Sequence, residues 1–105
     1  MELIIRDNVI NGTVYGTNIL YGAEGDDEKL IIPNHVEAIC EQAFGYNEVN
    51  PNIKELVFEP GGHVEIGYSA FAYSNLERVD FSNSVELICA GAFENRLGKC
   101  QVQGQ

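Results

Sequence analysis

Three copies of one hydrophobic pattern organise the chain. The first copy starts at Val36 and reads Val-x-x-Ile-x-x-x-Ala-Phe, ending at Phe44. The pattern returns at residues 85–93, and a copy shortened by one residue occupies residues 64–71. Self-similarity at this interval is typical of solenoids, in which each repeat buries its apolar side chains against the next one. The repeat is therefore the predicted unit of architecture.

A second signature lies between the Ala-Phe pairs. Residues 53–58 read Ile-Lys-Glu-Leu-Val-Phe and residues 76–81 read Leu-Glu-Arg-Val-Asp-Phe, while residues 30–33 end an earlier copy. The alternation predicts strands with every second side chain inward, and each Ala-Phe pair suits one tight helical turn. Repeats stacked at about 4.8 Å per strand would share one core. The three motif phenylalanines, Phe44, Phe71 and Phe93, should then pile one over the next.

The first 28 residues read differently from the repeats. Short apolar runs predict four short strands, at residues 2–5, 9–10, 13–15 and 18–21. Asn11-Gly12 predicts a two-residue hairpin turn, because both residues tolerate positive φ. Residues 22–28 are rich in glycine and carboxylates but lack the spacing of a calcium loop, which favours a solvated loop.

These patterns divide the chain into three parts of one domain. We expect residues 1–29 to form an N-terminal β cap over the first repeat. Residues 30–97 should form the repeats, and residues 98–105 a polar C-terminal tail. A cap is expected because the first repeat would otherwise expose an unpaired strand edge.

The combined motif, Ile-Pro-x-x-Val-x-x-Ile-x-x-x-Ala-Phe followed by Leu-x-x-Val-x-Phe, resembles the BspA-type leucine-rich repeat over about residues 30–97. The resemblance implies a curved solenoid that binds proteins or surfaces and whose repeat carries no enzymatic activity. The predicted fold class is mainly β with short helical turns: a small leucine-rich-repeat solenoid of about three rungs with an N-terminal β-hairpin cap.

Charge narrows the range of partners. Sixteen acidic residues against six basic ones give a net charge of −10. Direct binding to nucleic acid or to an anionic membrane is disfavoured, because both need Lys and Arg on the protein. A protein with a basic surface would instead be attracted. The absence of a signal-peptide pattern, of a long apolar run and of an even cysteine count predicts a soluble cytoplasmic protein.

No catalytic constellation is visible. The chain has no glycine-rich phosphate loop and no Ser-His-Asp signature, so an enzyme is not expected and no cofactor is implied. His35 and His63 occupy matching positions, but zinc needs three or four convergent ligands, and surface histidines are favoured over a metal site. Cys40 and Cys89 also occupy matching positions of the repeat. Because they are two rungs apart, they should lie too far from each other to form a disulfide.

Equivalent positions of stacked repeats line up as columns, and one column is acidic. Glu37, Glu65 and Glu86 each follow the motif valine. Three carboxylates on adjacent rungs predict a negative stripe that attracts a basic partner. The alternative is that they are ordinary solvated side chains.

Two further columns supply candidate binding anchors. Ile31, Val57 and Asp80 hold the outward strand position, and Tyr46 and Tyr73 each lie two residues after the motif phenylalanine. Apolar and tyrosine side chains at outward positions are typical anchors of protein interfaces. Equally, the cap, the inserted loop at residues 45–52 or a second copy of the chain would cover them.

Three functional hypotheses follow. The leading one is a non-enzymatic protein-interaction module that uses the strand face and the acidic columns. The alternative is an acidic inhibitor, similar in concept to anti-CRISPR proteins, that mimics nucleic acid and blocks the basic groove of a nuclease or other nucleic-acid effector. A third is self-association through the ends of the solenoid, which are potential unpaired edges.

Overall fold

The computed structural model describes residues 1–47, 52–96 and 100–105. Its strands form two sheets that pack on one hydrophobic core. The strands are β1 (Glu2–Ile10), β2 (Thr13–Glu24), β3 (Lys29–Ile32), β4 (Ala38–Ile39), β5 (Glu55–Phe58), β6 (Val64–Ile66), β7 (Arg78–Asp80), β8 (Val85–Ile88) and β9 (Gln101–Gln103). Sheet A has the strand order β1-β2-β4-β6-β8, and sheet B has the order β3-β5-β7-β9.

Each rung of the solenoid contributes one strand to each sheet. From β4 and β3 onward, neighbouring rungs pair in parallel, and Leu30, Leu56, Val79 and Val102 form one register row. The first three of these side chains are fully buried, as the alternating pattern predicts. The predicted small solenoid of about three rungs is confirmed. No helix among the described residues is long and apolar enough to cross a membrane.

The phenylalanine column is also confirmed. The rings of Phe44 and Phe71 are stacked with centroids 5.2 Å apart, and those of Phe71 and Phe93 are 5.3 Å apart. Both pairs are within 7° of parallel, and all three rings are buried. Stacked aromatic rings add to the stability that burial of their apolar area provides. The column therefore ties the three rungs together through the core.

Tight turns carry each Ala-Phe pair into this column. The amide of Ala43 donates to the carbonyl of Cys40 at 3.1 Å, and the amides of Ala70 and Ala92 make the same turn contact at 3.2 Å. The residue before each alanine has positive φ. A single 3₁₀ turn, Gly45–Asn47, follows the first phenylalanine, while most of the predicted loop at residues 45–52 lies outside the described residues.

Gly67 allows the middle rung to approach the rung before it closely. A Cβ atom at this position would lie 2.6 Å from the carbonyl oxygen of Ile39 and 2.9 Å from the amide nitrogen of Glu41. No real side chain tolerates such distances. Glycine therefore fits this close approach between rungs, whereas the missing residue of the repeat falls earlier, between Val64 and Glu65.

The N-terminal segment differs from the prediction. The four short strands are two long ones, β1 and β2, which pair antiparallel across three register shifts. β2 runs through Glu24, so it includes the start of the loop predicted at residues 22–28. Bulges absorb the polar residues that interrupt the apolar runs, and pairing can therefore continue past them. The predicted turn is confirmed, with φ of 50° at Asn11 and 81° at Gly12.

Both ends of the chain add strands to the solenoid. β2 pairs in parallel with β4, where Ile19 and Leu20 lie beside Ala38 and Ile39. The segment predicted as a polar tail contributes β9, which pairs with β7. Within it, Val102 packs against the core between two polar residues. The predicted boundary at residues 97 and 98 lies outside the described residues.

Candidate interaction surfaces

An acidic groove runs across the outer face of sheet A. It contains all three carboxylates that the sequence singles out, Glu37, Glu65 and Glu86. The lining residues are Tyr15, Gly16, Thr17, Ile19, Glu37, Ala38, His63, Glu65 and Glu86. None of these is Lys or Arg. We call this surface the acidic groove.

The three carboxylates share the groove but not one register row. Glu65 lies beside Ala38 on one neighbouring strand and beside Leu87 on the other, rather than beside Glu37 and Glu86. The cause is the missing residue of the middle repeat, which shifts the register between Val64 and Glu65. Staggering separates like charges that would repel if they were directly opposite.

Neutral groups and one histidine contact two of the three carboxylates. Glu37 accepts hydrogen bonds from the hydroxyl of Thr17 and from the side-chain amide of Asn18, the latter at 3.2 Å. His63 Nδ1 lies 2.7 Å from Glu86 Oε1, and both side chains are exposed. These contacts orient the carboxylates without a fixed positive charge to neutralise them. Within the described ranges, no group of three or more His, Cys, Asp or Glu side chains is arranged to hold a metal ion.

The face of sheet B has a different electrostatic character. Glu55 lies between two cations, 3.9 Å from the ammonium of Lys29 and 3.8 Å from Nε of Arg78. Lys54, next to this strand, pairs with Glu28 at 3.4 Å. Half of the six basic residues of the chain are therefore used in ion pairs on or beside sheet B.

The outward strand column lies on this face as one register row. Ile31, Val57 and Asp80 are direct neighbours, and the row continues to Gln103. Ile31 is exposed, whereas Val57 is half-buried. The side chain of Gln103, and next the backbone amide of Ser82, donate to Asp80 and hold the pKa of its carboxyl below the ordinary value. Asp80 is thus already engaged by its own chain.

The tyrosine column is brought together as well. The rings of Tyr46 and Tyr73 are stacked with centroids 5.5 Å apart, and the two side chains are 46% and 42% exposed. Both residues have positive φ, 61° and 55°, which is strained for a bulky side chain. The third rung places Asn95 here, a residue that accepts this conformation more readily. Positive φ at this position on all three rungs makes it a feature of the repeated turn.

Sequence reasoning missed one prominent surface, the tip of the β1–β2 hairpin. Residues 9–15 are all exposed. Among them are four large apolar side chains, Val9, Ile10, Val14 and Tyr15. The available signal was the Asn11-Gly12 turn, since a two-residue turn places the residues flanking it at the far end of a hairpin.

The comparisons with known proteins agree with this architecture. The family model for the BspA type leucine-rich repeat region matches six copies over residues 14–102. No curated protein and no solved structure gives a match. The repeat motif, the stacked phenylalanines and the two-sheet solenoid are thus accounted for together, and the chain belongs to the family of BspA-type leucine-rich repeats.

Proposed function

We propose that this chain is a non-enzymatic protein-interaction module whose acidic groove binds a partner with a basic surface. Membership of the leucine-rich-repeat family supports the general role in protein interaction. The observation that carries the specific proposal is the distribution of charge. Three carboxylates line one groove without Lys or Arg, whereas cations of sheet B are paired with their own carboxylates.

The rest of the described sheet A surface fits this electrostatic picture. Arg6, at the base of the hairpin, lies over the ring of Tyr21 with its guanidinium carbon 4.9 Å from the ring centroid. It does not line the groove. A net charge of −10 adds a long-range field of the same sign, which speeds encounter with a cationic partner at low ionic strength.

The inhibitor hypothesis is a narrower version of the same idea. In it, the basic partner is a nuclease or another nucleic-acid effector, and the carboxylates occupy the groove that holds phosphates. The net charge and the fixed orientation of Glu37 and Glu86 support it. It differs from the general proposal in one respect: the chain must compete with nucleic acid for its partner.

Self-association is supported by a separate observation. β8 ends sheet A among the described strands, and its Leu87 and Ile88 are 50% and 43% exposed. Pairing of two such edges would bury these side chains. Because both copies are strongly acidic, this association should strengthen as salt screens their repulsion, opposite to binding of a basic partner.

A cytoplasmic setting is part of the proposal. All three cysteines are free and half-buried. Burial, and then the charge of Glu41, raise the pKa of the Cys40 thiol above the ordinary value, which favours the protonated thiol over the nucleophilic thiolate. Free thiols are usual in a reducing compartment.

The test uses charge reversal with a matched control. The groove variant carries Glu65→Lys and Glu86→Lys; the control carries Glu28→Lys and Glu77→Lys, which change the net charge equally. Binding of a fluorescent ten-residue lysine peptide is followed by anisotropy at low and high salt. We expect the groove variant to bind at least about tenfold more weakly and the control to lose much less, since only the first removes charge from the groove.

Two results would refute the proposal. One is an equal loss of affinity in both variants, because net charge alone would then explain binding. The other is an affinity that does not fall with added salt, because exposed charge pairs are screened. Captured cellular partners of the wild-type chain, retested with the same two variants and with competing nucleic acid, separate the inhibitor from the general module.

A further inference from the structure

The tip of the β1–β2 hairpin is an arm that lies outside the core. None of its large apolar side chains, Val9, Ile10, Val14 and Tyr15, belongs to the core cluster, and each is more than half exposed. A two-stranded ribbon is only marginally stable by itself. Four apolar side chains that stay more than half exposed on such a ribbon lower solubility and do not join the core, which is typical of an interaction surface.

The root of the arm is fastened beside the acidic groove. At a bulge in the hairpin, the amide of Asn18 donates to the carboxylate of Asp7 at 3.0 Å. The backbone amide of Glu37 donates to the carbonyl of Asn18 at 3.0 Å, and the Glu37 carboxylate accepts from Thr17 and Asn18 side chains. The bulge bends the ribbon, and Glu37 holds that bend against β4. The arm therefore has a set direction relative to the groove.

The apolar side chains of the arm have different surroundings. Tyr15 lines the acidic groove, and the register shift between the Asn8–Gly16 and Val9–Val14 pairs places it in a bulge. Beyond the bulge, Val9 pairs with Val14 and Ile10 pairs with Thr13, and none of these four residues lines the groove. The arm thus places one large apolar side chain, that of Tyr15, at the groove that holds the carboxylates.

We propose that the arm is the second wall of the binding site and that the site takes an extended peptide segment in which cationic and apolar residues alternate. This inference rests on the proposed function of the groove. Alternation along a strand directs successive side chains to opposite sides. Lys or Arg side chains then reach Glu65 and Glu86, while the apolar side chains pack on Tyr15. Tyr15 can also accept a cation over its ring.

The experiment compares two synthetic peptides of nine residues by fluorescence anisotropy. One alternates Lys with Leu and the other alternates Lys with Ser, so that both have the same charge. The arm variant is Tyr15→Ser, and its matched control is Tyr68→Ser, which removes a tyrosine that is also exposed but does not line the groove. Neither side chain belongs to the core cluster, so both variants should keep the melting temperature within a few degrees.

We expect the wild-type chain to bind the Lys-Leu peptide at least about tenfold more tightly than the Lys-Ser peptide. The arm variant should reduce this ratio to within about twofold, whereas the control should retain it. Equal binding of the two peptides, or equal loss in both variants, would overturn the arm proposal and leave the acidic groove standing. Failure of both peptides to bind the wild-type chain would overturn the groove and the arm together.

Discussion

Replacing Phe71 with alanine tests the shared core directly. Phe71 is 1% exposed and stacks between two rings, Phe44 at 5.2 Å and Phe93 at 5.3 Å. Truncation of a buried phenylalanine costs about 3–5 kcal/mol, and each aromatic pair contributes about 0.5–1.5 kcal/mol beyond burial. Because Phe71→Ala removes two pairs, we expect a loss near the top of that range, about 4–5 kcal/mol.

Phe44 provides the matched comparison. It is similarly buried, at 3%, but its ring stacks on Phe71 alone among the described aromatic pairs. Phe44→Ala should therefore cost about 1 kcal/mol less than Phe71→Ala. Phe71→Leu keeps most of the apolar volume and should recover more than half of the loss.

Urea unfolding followed by far-ultraviolet circular dichroism measures these differences, because the chain has no tryptophan. A domain of this size is stable by about 5–15 kcal/mol, so Phe71→Ala should leave a marginal fold with a much lower midpoint and a similar slope. A cost below about 2 kcal/mol, or a smaller cost than that of Phe44→Ala, would contradict a continuous core shared by the three rungs.

Two further predictions concern the rungs themselves. Gly67→Ala should destabilise the chain by about 2–3 kcal/mol, because its Cβ would meet the Ile39 carbonyl at 2.6 Å. Cys89→Ala, at the equivalent position of the next rung, should cost clearly less stability in the same urea experiment. Equal costs would show that glycine is not needed for the close approach. Asp80 stabilises the fold in its charged form, since Gln103 and Ser82 hold its pKa below the ordinary aspartate value of about 4. This stabilising contribution is present at a pH above the ordinary aspartate pKa and is lost as the pH falls through the lowered pKa of Asp80. The stability advantage of wild type over Asp80→Asn should therefore shrink on acidification. An advantage that stays constant from pH 7 to pH 2 would contradict this role of Asp80.

Much of the candidate site could be anticipated only as separate columns. Sequence alignment paired Ile31 with Val57 and Tyr46 with Tyr73, and both pairs are neighbours in the structure. It also placed Glu65 in line with the other carboxylates, and there the register differs. A short repeat can omit its missing residue either before or after a given side chain. Backbone pairing between neighbouring rungs decides which, and the sequence of one rung does not specify that pairing.

The repeat, the inward phenylalanines and the hairpin turn can be predicted from the amino-acid sequence, because each depends on local spacing or on backbone preferences of a few residues. Three features emerge only from the folded chain: the polar C-terminal segment adds a strand to sheet B, the hairpin tip lies outside the core, and Tyr15 lines the same groove as Glu37, Glu65 and Glu86. These residues are distant in the chain and share no local pattern. They meet because strand pairing and a bulge, rather than composition, set where each rung and the arm are placed.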